Sequence, residues 1–172
     1  MKLSLRRTPE ATGLIYEVFD SDGKALLTVE REASSSHVWM LFFRSANLAT
    51  QVVMRQDSFE GEIQLADGKR FGLLKEARFS ITGKISVEDE AGRQLGSVSS
   101  GLTTLHFQDP SNRRVGTARQ PRLKGRFGFL PRSQIHRFWD RELEFDDTVC
   151  DERFLYALVC FLVTSEFASS AS

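Results

Sequence analysis

Apolar and polar residues alternate along most of the chain, and short turn sequences separate the alternating segments. Residues 16–29 and 85–98 align without a gap, and in both an alternating segment is followed by Asp, two further residues, Gly and a second apolar segment. A period of two is typical of strands with one buried face. Asp bonds to the backbone two residues on, and Gly adopts the positive φ that reverses the chain. Each segment is therefore predicted to be a β-hairpin.

A third copy covers residues 105–118 and carries Asn112 at the turn position, where Asn also tolerates a left-handed backbone. Residues 63–71 contain a hairpin with a shortened turn at Gly68. Further strands are predicted from the same alternation at residues 38–43, 51–54 and 79–81. The pattern alone predicts about ten strands.

The closing segment has a different pattern, because Phe154 to Val163 is apolar at every position. A helix that is hydrophobic all round must be buried in protein or in lipid. Ten helical residues rise about 15 Å, whereas a bilayer core is about 30 Å thick. We therefore predict a buried helix over about residues 152–167, at the end of a single domain covering residues 1–168, with a disordered tail at 169–172.

These features together resemble the tubby C-terminal-like superfamily, in particular the phospholipid scramblase and LURP-one-related families. The similarity rests on the strand, Asp-x-x-Gly, strand units and on the ending from Phe145 to Phe167, and it spans roughly Gly13 to Phe167. It implies a mainly β fold in which a closed antiparallel β-barrel of about 12 strands surrounds a hydrophobic C-terminal helix. Motifs of this kind indicate architecture more than function.

Charge and cysteine usage narrow the classes of function. Lys plus Arg and Asp plus Glu number 23 each, so no global field attracts nucleic acid or membrane. Cys150 and Cys160 form neither a disulfide framework nor a paired metal motif, which suits a reducing compartment. Met1 to Arg7 lacks the continuous apolar core of a secretory signal. We therefore expect a cytoplasmic protein.

One stretch departs from this balance. From Ser111 to Trp139 there are eight basic residues and no acidic residue. Basic side chains near an anionic membrane contribute about 1 kcal/mol each, and apolar side chains among them can enter the headgroup boundary. The predicted lipid-binding residues, for phosphoinositide-like headgroups, are Arg113, Arg114, Arg119, Arg122, Lys124, Arg126, Arg132 and Arg137, and the predicted membrane-inserting residues are Phe127, Phe129 and Leu130. Such a protein would be peripheral at the membrane.

Several alternatives stay open for this stretch. Phe127 and Phe129 could point into the barrel, and the arginines could be a solvated outer face. The stretch could dock a protein partner or a second copy of the chain. Basic residues with aromatics also suit single-stranded nucleic acid, but the balanced total charge argues against that class. Active lipid scrambling would need a groove or membrane insertion that a short apolar helix does not supply.

Beyond Trp139 the charge becomes acidic, and calcium is a secondary hypothesis there. The spacing of acidic residues matches the ligand offsets of a calcium loop at Asp140, Glu142, Glu144, Asp146 and Asp151. The scramblase resemblance also implies a calcium segment before the closing helix. However, Phe145 occupies the position where that loop requires Gly. Alternation with Leu143 and Phe145 is equally typical of an ordinary half-exposed strand.

No catalytic constellation is recognisable. The three histidines, His37, His106 and His136, are far apart and have no metal-pair spacing. No nucleophile elbow, phosphate-binding loop or dinucleotide motif is present in the sequence. Turn chemistry already explains Asp20, Asp89 and Asp109. The sequence therefore predicts a protein that is not an enzyme and uses no cofactor.

Overall fold

The computed structural model describes residues 1–8, 14–33, 38–46, 48–55, 60–76, 83–100, 104–121, 139–146 and 151–170. Within these ranges the chain forms twelve strands and one helix. The elements are β1 (Lys2–Arg7), β2 (Leu14–Asp20), β3 (Ala25–Ala33), β4 (Val38–Ser45), β5 (Ala49–Arg55), β6 (Glu60–Leu65), β7 (Arg70–Glu76), β8 (Lys84–Asp89), β9 (Gln94–Ser100), β10 (Thr104–Gln108), β11 (Arg114–Arg119), β12 (Arg141–Phe145) and α1 (Arg153–Ser170).

The strands form a closed antiparallel barrel in which each strand pairs with its neighbours along the chain. β12 closes the barrel by pairing with β1, where Leu3 lies opposite Leu143 and Ser4 lies opposite Glu142. The predicted barrel around a C-terminal helix is therefore confirmed. It has twelve strands within the described ranges, which is the number that the family resemblance implied and is more than the alternation of residues predicted. The strand predicted at residues 79–81 lies outside the described residues.

Local chemistry forms the hairpins as the sequence predicts. Asp89 Oδ1 accepts hydrogen bonds from the backbone N–H groups of Ala91 and Arg93, both at 2.9 Å. Gly92 then turns the chain with a φ of 80°. The same arrangement recurs from Asp20 to Gly23 (φ 80°) and from Asp109 to Asn112 (φ 61°). These hairpin turns lie at one end of the barrel, here called the turn end, and the opposite end is called the far end.

Helix α1 lies inside the barrel. Leu158 is fully buried, and all residues from Phe154 to Cys160 are buried with it. The ring of Tyr156 packs against that of Phe43, with 4.5 Å between centroids. The prediction of a buried helix is therefore confirmed. Among the described residues, no helix has the length and apolarity to cross a membrane.

The helix begins at Arg153 and ends at Ser170, whereas the sequence predicted an end near Phe167. Ser169 and Ser170, which the sequence assigned to a tail, are therefore helical. Residues 168–170 are Ala, Ser and Ser, so they include no Gly or Pro to mark a helix end.

Candidate functional site

The start of the helix packs directly on the barrel wall. A Cβ added at Gly96 would lie 2.7 Å from the ring of Phe154, and the ring centroids of Phe107 and Phe154 are 6.0 Å apart. The first distance is closer than van der Waals packing permits, so the wall and the helix leave no room for a ligand there. A binding site must therefore be sought on the outer surface of the barrel.

The buried reactive groups are not positioned for chemistry. Cys160 is fully buried, and burial raises the pKa of its thiol, so the thiolate that nucleophilic attack requires is disfavoured. Burial likewise raises the pKa of the Tyr156 hydroxyl. Both groups are part of the packed core between the helix and the barrel wall.

Most of the predicted lipid-binding stretch lies outside the described residues. This holds for Arg122, Lys124, Arg126, Arg132 and Arg137 and for the predicted membrane-inserting residues Phe127, Phe129 and Leu130. Three of the predicted basic residues are described, namely Arg113, Arg114 and Arg119. The structure places these three differently from one another.

Arg113 belongs to a turn. Its Nε donates a hydrogen bond to Asp109 Oδ2 at 3.2 Å, and its backbone N–H donates to Asp109 Oδ1 at 2.9 Å. The homologous position of another hairpin repeats the pairing, because Arg93 Nε donates to Asp89 Oδ2 at 2.7 Å. A carboxylate therefore already compensates the charge of Arg113, which makes it a weaker ligand for a further anion than the sequence predicted.

Arg114 and Arg119 are exposed at the two ends of β11. Their side chains lie on the outer face, because Val115, next to Arg114, and Ala118, next to Arg119, are both buried. Within the described ranges, no carboxylate forms an ion pair with either guanidinium group. Both guanidinium groups are therefore exposed without an ion pair in the described part of the chain, although Glu142 of β12 lies directly opposite Arg119.

Strands β9 to β11 form a surface without negative charge, and the acidic residues of β12 border it on the other side of β11. No Asp or Glu occurs in β9, β10 or β11. The outward residues of this face, here called the β9–β11 face, are Ser97, Ser99, Thr104, His106, Gln108, Arg114, Thr117 and Arg119. The face combines two arginines, a histidine and several hydroxyl groups, which are the side chains that bind oxyanions.

His106 is the functional candidate that the sequence reasoning missed. It lies opposite Thr117 of β11 and Ser99 of β9. Burial, and then the positive charges of Arg114 and Arg119, lower the pKa of His106 from its ordinary value. The sequence of the third hairpin already indicated the neighbours of His106, because the turn at Asp109 sets which residues of β10 and β11 lie opposite each other.

The acidic segment forms a strand and not a calcium loop. Leu143 and Phe145 are buried, while Glu142 and Glu144 between them are exposed on the outer face. Alternate residues of a strand are about 6.8 Å apart, so their carboxylates do not converge on one ion. Within the described part of the chain, no three acidic, His or Cys side chains are grouped closely enough to hold a metal.

Two of the other three proposed calcium ligands, Asp140 and Asp151, already have partners. Asp140 is buried, and its Oδ1 accepts a hydrogen bond of 2.8 Å from the backbone N–H of Arg7. Asp151 binds Arg153 through both oxygens, at 2.9 Å to Nε and 2.8 Å to Nη2. These carboxylates attach β1 and the helix, so the described geometry does not favour the calcium-loop hypothesis.

A shallow groove of about 440 Å³ runs beside the β9–β11 face, over β11, β12 and β1. Glu142 and Glu144 lie along its middle, and the cations on either side of them are Lys2, Arg6 and Arg119. The outer surface thus has a basic face next to a groove of mixed charge. Any functional proposal rests on these surfaces, since no protein-family model, no curated protein and no solved structure matches the chain.

Proposed function

We propose that the protein is a non-enzymatic β-barrel that binds anionic phospholipid headgroups, such as phosphoinositides, at a basic outer surface. The observation that carries the proposal is the charge of the stretch from Ser111 to Trp139, which contains eight basic residues and no acidic one in a chain of zero net charge. A locally positive surface attracts anionic lipid even where the whole protein is neutral.

The fold supports an external site. The helix packs tightly against the barrel wall at Gly96, so a headgroup has no room in the lumen at that level. The described part of the basic stretch, β11, exposes Arg114 and Arg119 on the outside. Strands β9 and β10 on one side of β11 add no negative charge that would repel a phosphate, whereas β12 on the other side carries Glu142 and Glu144.

The connection from β11 to β12 begins and finishes at the far end of the barrel, where Arg119 lies next to Glu142 across the two strands. In sequence, this connection contains Arg122, Lys124 and Arg126. We expect these three residues to contribute most of the attraction to lipid phosphates, together with the exposed Arg119. Phe129 would enter the headgroup boundary beside them.

The proposal is tested by reversing the charge of Arg122, Lys124 and Arg126 together to Glu. At about 1 kcal/mol for each cation removed, affinity for vesicles of phosphatidylcholine with phosphatidylserine and a phosphoinositide should fall about a hundredfold or more. Vesicle flotation measures this, and the parent should bind pure phosphatidylcholine vesicles weakly. Added salt should weaken binding by the parent, because exposed charges are screened within about 10 Å at 0.1 M.

A matched control reverses three exposed cations near the turn end, Lys24, Arg44 and Lys69, and so changes the net charge equally. This control should bind anionic vesicles like the parent. Phe129→Ala distinguishes membrane insertion of Phe129 from packing in the core. If Phe129 inserts into the membrane, the substitution should weaken vesicle binding and leave the melting temperature unchanged. Loss of a core Phe would instead lower the free energy of unfolding by about 3 to 5 kcal/mol. A parent that binds no anionic vesicles would contradict the proposal.

A protein-interaction domain is the second candidate function, and the mixed-charge groove favours it. Glu142 and Glu144 form no ion pair within the described residues, although cations lie on both neighbouring strands. Opposite charges arranged in adjacent stripes favour a partner with the complementary arrangement. This function becomes the better explanation if the triple charge reversal leaves vesicle binding unchanged.

A further inference from the structure

His106 is at the centre of the β9–β11 face. Its side chain points outward, because Leu105 and Phe107 on either side of it are buried. The ring is partly exposed, but its Nδ1 atom is enclosed and has no hydrogen-bond partner within the described residues. The neighbours across the strands, Ser99 and Thr117, are short. Both side chains are shorter than the imidazole, and Thr117 is only 8% exposed.

Two arginines flank the ring along the hairpin. Arg119 lies opposite Thr104 and Arg114 lies opposite Gln108, so each is two residue pairs along the hairpin from the pair of His106 and Thr117. With about 3.4 Å per residue along a strand and about 4.8 Å between strands, each arginine Cα is about 8 Å from that of His106. Both guanidinium groups can therefore reach a ligand located above the ring.

The nearest acidic groups are one strand farther away. On β9, which packs against one side of β10, the facing residues Ser97 and Ser99 are uncharged, and Lys84 of β8 lies beyond Ser99. On the other side, β12 places Glu144 beyond Thr117 and Glu142 directly opposite Arg119. The charges nearest to His106 are thus the two arginines, and together with burial they lower its pKa.

We propose that His106, Arg114 and Arg119 form a binding site for a tetrahedral oxyanion of the phosphate type, and that His106 takes up a proton from solvent when the anion binds. The guanidinium groups donate hydrogen bonds to the anion, and the hydroxyl groups of Ser99 and Thr117 can add further donors. The two arginines alone disfavour a positive charge on the ring. An anion bound between them makes the electrostatic potential at the ring negative, so the protonated imidazole becomes favoured.

The assignment of this phosphate group to a lipid headgroup rests on the proposed function, and a soluble phosphate compound is the alternative source. In either case proton uptake and anion binding are reciprocal. If the bound anion raises the pKa of His106 by one unit, the protonated protein binds the anion tenfold more tightly than the neutral form.

The experiment uses sulfate, a tetrahedral oxyanion whose charge does not change between about pH 5 and pH 8, where His titrates. The imidazole resonances of the full chain are followed by NMR over this range, and His106→Gln identifies the signal of His106. Sodium chloride at the same ionic strength is the control, because screening alone weakens the effect of the two arginines. We expect sulfate to raise the pKa of His106 about one unit above its value in chloride.

Variants show whether the effect is local. In Arg114→Gln with Arg119→Gln, the difference between sulfate and chloride should disappear. In Lys24→Gln with Lys69→Gln, which removes two exposed cations from the turn end, it should persist. Equal pKa values in sulfate and chloride for the parent would overturn the proposal, as would a sulfate effect that survives the double arginine substitution.

A second arm identifies the source of the phosphate group. Phosphatidylcholine vesicles containing a phosphatidylinositol phosphate are bound by the parent and by His106→Gln at about pH 5.5 and pH 7.5. A headgroup source predicts that lowering the pH favours binding by the parent relative to His106→Gln, because the headgroup phosphate, with a second pKa of about 6, titrates equally for both. A sulfate effect without this pH dependence assigns the site to a soluble phosphate compound. If the parent binds no vesicles but sulfate still raises the pKa, the proposed lipid function fails while this site stands.

Discussion

At the scale of single residues, the turn position of the repeated hairpin shows the effect of backbone conformation without an effect of side-chain packing. Gly23 has a φ of 80°, and a Cβ added to it would meet no atom within 4 Å. Asn112 occupies the same position of the third hairpin with a φ of 61°. A substitution at Gly23 therefore changes the free energy of unfolding through the backbone alone.

We predict that Gly23→Val lowers the free energy of unfolding by about 1 to 3 kcal/mol, because a β-branched residue is forced into the left-handed region. Gly23→Asn should cost clearly less, since Asn tolerates that region and does so at Asn112. Urea denaturation of the two variants measures the difference. Equal losses for Val and Asn would show that the turn does not demand a positive φ in solution.

At the scale of elements, Arg153 attaches the start of the helix to the barrel. Its guanidinium binds both oxygens of Asp151 and donates from Nη1 to the backbone oxygen of Phe71 at 2.9 Å. Its Cζ also lies 4.5 Å from the centroid of the Phe71 ring. The side chain of Arg153 is only 13% exposed, whereas that of Arg44, which pairs with Glu30, is 63% exposed.

Arg153→Ala should lower the free energy of unfolding by about 2 to 3 kcal/mol, because it removes charge-assisted hydrogen bonds from a mostly buried site and leaves Asp151 without its partner. Arg44→Ala is the matched control and should cost less than about 1 kcal/mol, as exposed ion pairs do. Chemical denaturation compares them. Similar losses for both variants would mean that Arg153 does not connect the helix to β7.

At the scale of the whole molecule, one helix fills the barrel, and Leu158 lies at its centre with no exposed surface. Leu158→Asp would place an unpaired carboxylate in the core, where the cost of several kcal/mol is comparable to the total stability of a domain. We predict an insoluble or unfolded protein. Leu26→Asp, at an apolar position that is 37% exposed, should stay folded.

Solubility after expression and a thermal melt by circular dichroism compare these two variants. A soluble Leu158→Asp protein with the melting temperature of the parent would mean that the helix is exposed in solution. That result would also remove the reason for looking for a binding site on the outside, because the lumen would then be open to a ligand.

The sequence by itself determined the hairpins and the central helix, because both depend on neighbouring residues. The alternation, the Asp that bonds two residues on, and Gly or Asn at the turn act within a few residues, and all were recognisable before the structure. The apolar segment from Phe154 to Val163 identified the helix for the same reason. Its end was missed, because no residue near Phe167 marks a stop.

Only the tertiary structure decided which charged groups are available to a ligand. Asp140 is bound by the backbone of Arg7, 133 positions away in sequence, and β12 closes the barrel against β1. Pairing between β9, β10 and β11 likewise sets His106 among hydroxyl groups and close to Arg114 and Arg119. Spacing along the chain indicates which residues could act, but strand register and closure join distant segments and determine which of them meet.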